Sequence, residues 1–596
     1  MRTNSALGAW SVLAAVVGLP ACLSGCANTY TCADYKDCTP AVVDGGIDGH
    51  MGVDAADAPV SHHEAGADAT TDARGAEASK PEAGMPEASK AEGGKAEGGK
   101  LESGVEDAMK DVAHDTFTCN GTKSPSEEPC VISEAYGVFV APPADGGSDS
   151  GAGTRAAPYA TITKAIQSAN GKRVYACSAT YPEALSVTVA VDGTSIYGGL
   201  MCPGSDSGST WTYVTGTRAL VEPSSVGYAL DVQGLVKGAH FEDVGFVAQP
   251  APVATSGGSS IAVMVSGSTA VSFTRVSAKA GAGVAGVSAA APATNWCNPA
   301  TGPQAGAAAT GTGGGNSGLC TCAVATGDNS SGGAGGSKAL IGSNGGSVPT
   351  VTGTVSPIDG VAGDGSSTVG SGGVCANGHQ GANGAAVTLG GTAGTAGMLG
   401  TAGWIPLSAG SGSPGNPGEG GGGGGGNSTV GGAGGGAGGC GGNGGVAGGG
   451  GGASIAVAVL SSTVAFASMT LTTSTGGSGG SGAGGEAGQV GAPATFGGAA
   501  GGCNGGAGGA GAGGAGGGGG AGGPSVGIAW TGVSSSLTVD GTSVTTEAAL
   551  TSPSTFTSGG GGTSGAGGTG GIVTGGNVGP AGSPGPAGSS NAVVGF

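Results

Sequence analysis

Apolar and polar residues alternate with a period of two at widely separated places in this chain. Gly227-Tyr228-Ala229-Leu230-Asp231-Val232, Ser260-Ile261-Ala262-Val263-Met264-Val265, Ser454-Ile455-Ala456-Val457-Ala458-Val459 and Ser525-Val526-Gly527-Ile528-Ala529-Trp530 are four copies of one pattern. Each reads as a strand with one buried face. A turn follows each copy. A second strand then carries Phe241, Phe273 or Phe466 at corresponding positions, with Leu537 or Val539 in the last copy. Such a unit cannot bury its apolar face alone, so stacked repeats predict an all-β fold of the parallel solenoid kind. Helical spacing is found at Ile162, Ala165, Ile166 and Ala169, behind the N-cap candidate Thr161 and ahead of the stop Asn170-Gly171. It predicts a short helix covering the open strand edges at one end. Further strand candidates lie at 136–140, 173–177, 186–191, 194–199, 218–222 and 228–232.

Glycine changes the picture between the copies. The chain holds 142 Gly in 596 residues and only 9% charged residues, against about 7% and 25% in an average globular chain. Ala437, Cys440, Asn443 and Val446 interrupt the glycines at intervals of three, and Gly579, Gly582, Gly585 and Gly588 carry collagen-like pairs between them. A period of three favours extended threefold helices of the polyproline or polyglycine-II kind, which must pack side by side to offset the entropy of ordering glycine. Disorder is the competing reading. Because the copies at 260–276 and 454–469 share one pattern, the tract between them reads as an insertion between consecutive rungs. Loop-closure entropy grows slowly enough to allow this. The expected division is a signal peptide at 1–25, an anchor-proximal segment at 26–38 and a disordered acidic linker at 39–116. The N-terminal part of the solenoid follows at 117–280, then a Gly-rich insertion at 281–452 and a rung at 453–475. A second insertion spans 476–523, a further rung 524–556, and a Gly-rich C-terminal tail 557–596.

Charge is uneven. Residues 39–116 hold 17 acidic and 6 basic side chains and too little apolar surface to fold. From Gly281 to Phe596 Lys338 is the sole basic residue. Phosphate binding needs clustered Lys and Arg, so no nucleic-acid partner is expected. At the N-terminus Arg2 precedes an apolar run from Ala6 to Leu19, too short to span a bilayer and suited to an export signal. The twelve cysteines beyond Cys26 form an even set in an exported chain, which reads as disulfides. Cys32 and Cys38, and Cys119 and Cys130, are close enough for local loops. Cys177 and Cys202 are 25 residues apart, about one coil, and are candidates for a bridge between neighbouring rungs. Pairing of Cys297, Cys320, Cys322, Cys375, Cys440 and Cys503 stays open. A metal reading through Cys297, Cys320, Cys322, Cys375 and His379 matches no standard zinc spacing, and no cofactor is expected.

Three resemblances add to this. The run from Gly153 through Pro158-Tyr159-Ala160-Thr161-Ile162-Thr163-Lys164-Ala165-Ile166, with Val174-Tyr175, Tyr181-Pro182-Glu183 and Ile196-Tyr197-Gly198-Gly199, resembles the entry of right-handed parallel β-helix proteins of the pectate-lyase-like class. That resemblance implies an all-β right-handed parallel β-helix with an N-terminal capping helix, interrupted by the Gly-rich insertions. Leu23-Ser24-Gly25-Cys26 resembles the lipobox of bacterial lipoproteins, which implies acylation of Cys26 and a membrane anchor. Ala27 after the cysteine implies sorting to the outer membrane and cell surface. The tracts resemble the glycine-rich repeats of PE-PGRS surface proteins, without the PE domain. Polysaccharide lyases of the β-helix class use clustered carboxylates and a basic residue. The nearest assembly here is Asp231, Lys237, Glu242, Asp243 and Arg275, with Asp243 and Arg275 expected as a cross-rung ion pair on the outer face. Catalytic residues are therefore expected to be none. Two functions follow: a lipid-anchored structural or adhesin-like surface protein with an extracellular glycan or protein partner, or a carbohydrate-active enzyme. Sparse carboxylates and aromatics in the loops favour the first.

Overall fold

Three parallel sheets carry the fold, and the chain visits them in fixed rotation. The computed structural model describes residues 119–596, apart from 205–209, 299–301, 324–327, 349–359, 362–373, 498–500 and 548. From Leu230–Gln233 in the third sheet the chain passes to Ala239–Glu242 in the first and Val244–Val247 in the second. It then repeats the circuit through Ser260–Ser266, Val271–Thr274 and Ser277–Ala280. The register is in step: Val263 pairs with Leu230, and Phe273 with Phe241. The fold is all-β, with the single α-helix of the described residues at Ile162–Ser168.

Like stacks on like in the interior. Phe241, Phe273 and Phe466 stack with nearly parallel ring planes, their centroids 5.1 and 5.5 Å apart, and Val539 pairs with Phe466 on the last circuit. The residue after each of four successive first-sheet strands is left-handed, at Asp243, Arg275, Ser468 and Asp540. Short polar side chains tolerate that conformation best. Arg275 is the exception, and its side chain has a use described below. At the N-terminal end Thr161 Oγ1 accepts from the Lys164 N–H and caps the helix. Glu183 and Asp149 accept further amides at its start. Its buried stripe of Ile162, Ala165, Ile166 and Ala169 joins the same core as Val138, Val174 and Ile196.

Each Gly-rich tract leaves from the second sheet and returns to the third. Strand Ser260–Ser266 pairs directly with Ser454–Leu460, which pairs with Ser525–Thr531, although long stretches of chain separate them. The tail expected at 557–596 also differs from expectation. Thr555–Thr557 joins the second sheet, and Ser590–Gly595 pairs with Ser525–Thr531 as a further strand of the third. Asn591-Ala592-Val593-Val594 is apolar enough to continue the stack, but the glycines before it disguise the strand.

Excursions from one corner must lie beside one another, and they form a slab. Residues 508–523 are buried throughout. Amides of Gly508, Gly511, Gly514, Gly517, Gly520 and Gly523 donate to carbonyls within 477–492, while Gly513, Gly516, Gly519 and Gly522 donate to 577–586. Gly506, Gly509, Ala512, Ala515 and Gly518 donate to 410–422. Carbonyls of the same segment accept from 378–394, 436–451 and 562–571. The segment thus has six hydrogen-bonded neighbours, and the register repeats every third residue. Three residues carry three donors and three acceptors, one for each neighbour, so the buried backbone is satisfied without a sheet. Glycine is required where the chains touch: a methyl group on Gly514 would lie 2.1 Å from the carbonyl oxygen of Asn443. The described residues of these tracts are therefore hydrogen-bonded structure, with period three as the sequence suggests.

Candidate functional site

The charged residues singled out from the sequence do not form one group. Asp231 lies in the third sheet and accepts from Gln233. Lys237 sits in a turn whose amides bind Asp192. Glu242, Asp243 and Arg275 do come together. The first ends the strand Ala239–Glu242, and the other two occupy the left-handed corners of successive circuits. Arg275 Nε and Nη2 donate to Asp243 Oδ1 and Oδ2 at 3.0 and 2.9 Å, and Nη2 also donates to Glu242 Oε1. The expected cross-rung pair of Asp243 and Arg275 is formed, but it is not open to solvent: the Glu242 and Asp243 carboxylates are buried, at 4% and 3% exposure. The cover is the N-terminal segment, whose Ser126 Oγ donates to Glu242 at 3.0 Å and accepts from Arg275 at 2.9 Å.

Two residues that sequence reasoning missed extend this group. His240 Nε2 lies 3.0 Å from Glu242 Oε2, and its Nδ1 lies 2.8 Å from Ser272 Oγ. His240 and Glu242 share one face of a strand, and Ser272 is the register partner of His240 on the next circuit. The Phe241 and Phe273 alignment already implied that pairing. A Ser–His–Glu line has the members of a nucleophilic relay. Here, though, the same Glu also binds Arg275 and Ser126. Burial opposes its ionisation, yet His240, Arg275 and Ser126 together hold its carboxyl down to about 2. Such a group stays ionised at neutral pH and does not serve as a general acid. No known protein family, curated protein or solved structure matches this chain. Chemistry must therefore be read from the geometry alone, and the geometry is that of a clamp holding 119–131 over the first sheet.

Among the described residues the cysteines are joined in pairs. Cys119 bonds Cys130, which closes the covering segment, and Cys177 bonds Cys202. In the slab Cys297 bonds Cys320, Cys322 bonds Cys440, and Cys375 bonds Cys503. The sulfurs of Cys297, Cys320 and Cys440 lie together, since Cys320 Sγ is 3.4 Å from Cys440 Sγ, and Cys375 is bonded elsewhere. The five residues weighed for a metal therefore do not gather into one group. Cys26, Cys32 and Cys38 lie outside the described residues, as do the signal peptide at 1–25 and the linker at 39–116.

Proposed function

We propose that this chain is a lipid-anchored cell-surface protein, structural or adhesin-like, which displays a glycine-rich slab on a right-handed parallel β-helix. Three sheets visited in rotation, with a helix over one end, support the solenoid. The threefold register of the slab supports packing of the polyglycine-II kind. The observation that carries the functional reading is the central segment 508–523, which is enclosed by six neighbours and joined to them through backbone groups. Such construction makes a body and has no catalytic side chains in its interior. The clamp at Arg275 and five disulfides among the described residues fit an exported chain that must persist in an oxidising compartment.

The anchor reading rests on Leu23-Ser24-Gly25-Cys26. Several acyl chains on one cysteine hold a protein on a membrane. Wild-type protein is expected in the membrane fraction after carbonate washing, labelled by antibody on intact cells, and Cys26→Ser is expected to leave that fraction. Equal retention of both forms, or wild type that is labelled only after lysis, would overturn the display reading.

A further inference from the structure

Two of the slab's bridges lie side by side. Cys297–Asn298 runs antiparallel to Leu319–Cys322, with Cys297 opposite Cys322. Side chains alternate along a strand, so Cys320 and Cys322 face one side of this ribbon, and Cys297 faces it too. Leu319, Thr321 and Ala323 are exposed on the other side, while the three cysteines are buried against Cys440 and Ala437. Cys297 is bonded diagonally to Cys320, and Cys322 to Cys440. Cys440 Sγ also lies 3.4 Å from Cys320 Sγ and 3.8 Å from Cys297 Sγ. It thus touches both sulfurs of the neighbouring bridge as well as its own partner.

Cys297 has a second partner available as well. The Cys297 amide donates to Gln489 Oε1 and the Cys322 amide to the Asp328 carbonyl, while Ala323 donates to the Trp296 carbonyl. Cys297 and Cys322 are therefore a non-hydrogen-bonded cross-strand pair, the kind whose Cα atoms lie about 4.5 Å apart, within the span of a disulfide. The two possible pairings close loops of nearly equal length. The bridges present span 23 and 118 residues. Cys297–Cys322 and Cys320–Cys440 would span 25 and 120. Loop-closure entropy varies with the logarithm of length, so it favours neither pairing.

We infer that these four cysteines form a disulfide-exchange centre, in which a small thiol interconverts the two pairings. Its thiolate attacks Cys322 Sγ, the least buried of the four at 5% exposure. A mixed disulfide forms, and Cys440 leaves with the electron pair of the broken bond. The Cys440 thiolate then attacks Cys320 Sγ, and Cys297 leaves as a thiolate. Cys297 attacks Cys322 across the ribbon and expels the small thiol. Three bonds form and three break, nothing is oxidised or reduced overall, and the thiol is returned. Because Cys322 is buried, the first attack waits on local opening of the strand end, which makes the exchange slow. In both pairings the ribbon stays tied to the slab through Cys440. Thiol attack therefore moves the tie and does not cut it.

None of this depends on membrane display, and the test uses the purified full chain. Wild type is incubated with 2-mercaptoethanol below its unfolding midpoint, quenched with acid, alkylated and digested. Only Thr321 separates Cys320 from Cys322, so electron-transfer fragmentation at that residue assigns the partner of each. The second pairing is expected to rise until it is within about tenfold of the first, since loop closure does not choose between them. Its rate should follow the thiol concentration and its plateau should not. Cys177–Cys202 and Cys375–Cys503 are the internal references and should keep their partners. In a second arm, Cys297→Ser with Cys322→Ser leaves Cys320 and Cys440, which should bond to each other and leave no more free thiols than in wild type. The inference is overturned if the second pairing stays below about a hundredth of the first, a bias that loop closure does not supply. It is also overturned if the reference bridges scramble equally, or if the double variant melts as wild type does yet keeps both thiols free. Where the double variant does not fold, the wild-type measurement alone decides.

Discussion

Replacing Gly514 by Ala adds one methyl group at the centre of the slab. That methyl would lie 2.1 Å from Asn443 O and 2.5 Å from the carbon of the same carbonyl. Ordinary contact begins near 3.4 Å, so the neighbouring segment must retreat by roughly 1 Å in a region packed at crystal-like density. The retreat strains bonds on both sides of residue 514: its amide to Glu486 O at 2.9 Å, and the Gly571 amide to its carbonyl at 2.8 Å. A buried group left without its partner costs about 1–3 kcal/mol. Two such groups, offset by about 0.4–1 kcal/mol from the stiffer unfolded chain, give a net loss of about 1–6 kcal/mol. Gly346→Ala is the control, because a methyl there meets nothing within 4 Å, and it should stay within about 0.5 kcal/mol. A chain of this size need not unfold in one step, so the readout is native-state amide exchange across 508–523, with urea unfolding alongside. Equal protection and equal unfolding midpoints for Gly514→Ala and Gly346→Ala would refute the close-packed slab.

Four further outcomes are expected. Arg275→Ala leaves Glu242 and Asp243 buried without their cation and should destabilise by about 3–5 kcal/mol, read as a lower melting temperature and earlier proteolysis of 119–131. In wild type the Glu242 carboxyl is held below its ordinary range, so its stabilisation is present above about pH 4.5 and lost as pH falls towards 2; Glu242→Gln should flatten that part of the stability profile. The Cys177–Cys202 bridge closes a 25-residue loop, so the Cys177→Ser and Cys202→Ser pair should lose about 3 kcal/mol, and non-reducing peptide mapping should recover the two cysteines in one species. Deleting 281–452 keeps the direct pairing of Ser260–Ser266 with Ser454–Leu460 but uncovers Ile261, Met264, Ile455 and Ala458. The shortened chain should keep its β-sheet circular dichroism yet bind a hydrophobic dye strongly; dye binding equal to wild type would contradict the docking of Leu399 and Trp404.

Much of the strand pattern was legible because its determinants are local. Alternation at 260–265 and 454–459, with the phenylalanines that follow, needs only period two and a narrow interior that stacks like on like. Thr161 and its apolar stripe were readable for the same reason. The period of three in the tracts was visible too, since a residue that touches a neighbour's backbone must be glycine and its recurrence marks the turn of the chain. The identity of the neighbours was not visible. Gly514 meets Glu486, Asn443 and Gly571, and nothing in a run of glycines encodes which segment lies alongside. The clamp failed to show for a related reason. Asp243 and Arg275 align by repeat, but Ser126 reaches Glu242 from 116 residues away, and without that cover the pair reads as a solvated surface feature. The strand Ser590–Gly595 was hidden by the glycine-rich composition before it.

The threefold register also limits how such a body can change length. Adding three residues to 508–523 advances the segment by one full turn and returns every amide and carbonyl to the side it faced before. Adding one or two rotates everything downstream by about a third or two-thirds of a turn. The glycines at 511, 514, 517 and 520 would then face other neighbours, and Ala512 and Ala515 would be forced into backbone contacts that admit no methyl group. Length in this slab is therefore quantised. A gene encoding it can gain or lose nine bases at a time with little structural consequence, whereas a three-base slip within one segment disturbs every contact beyond it.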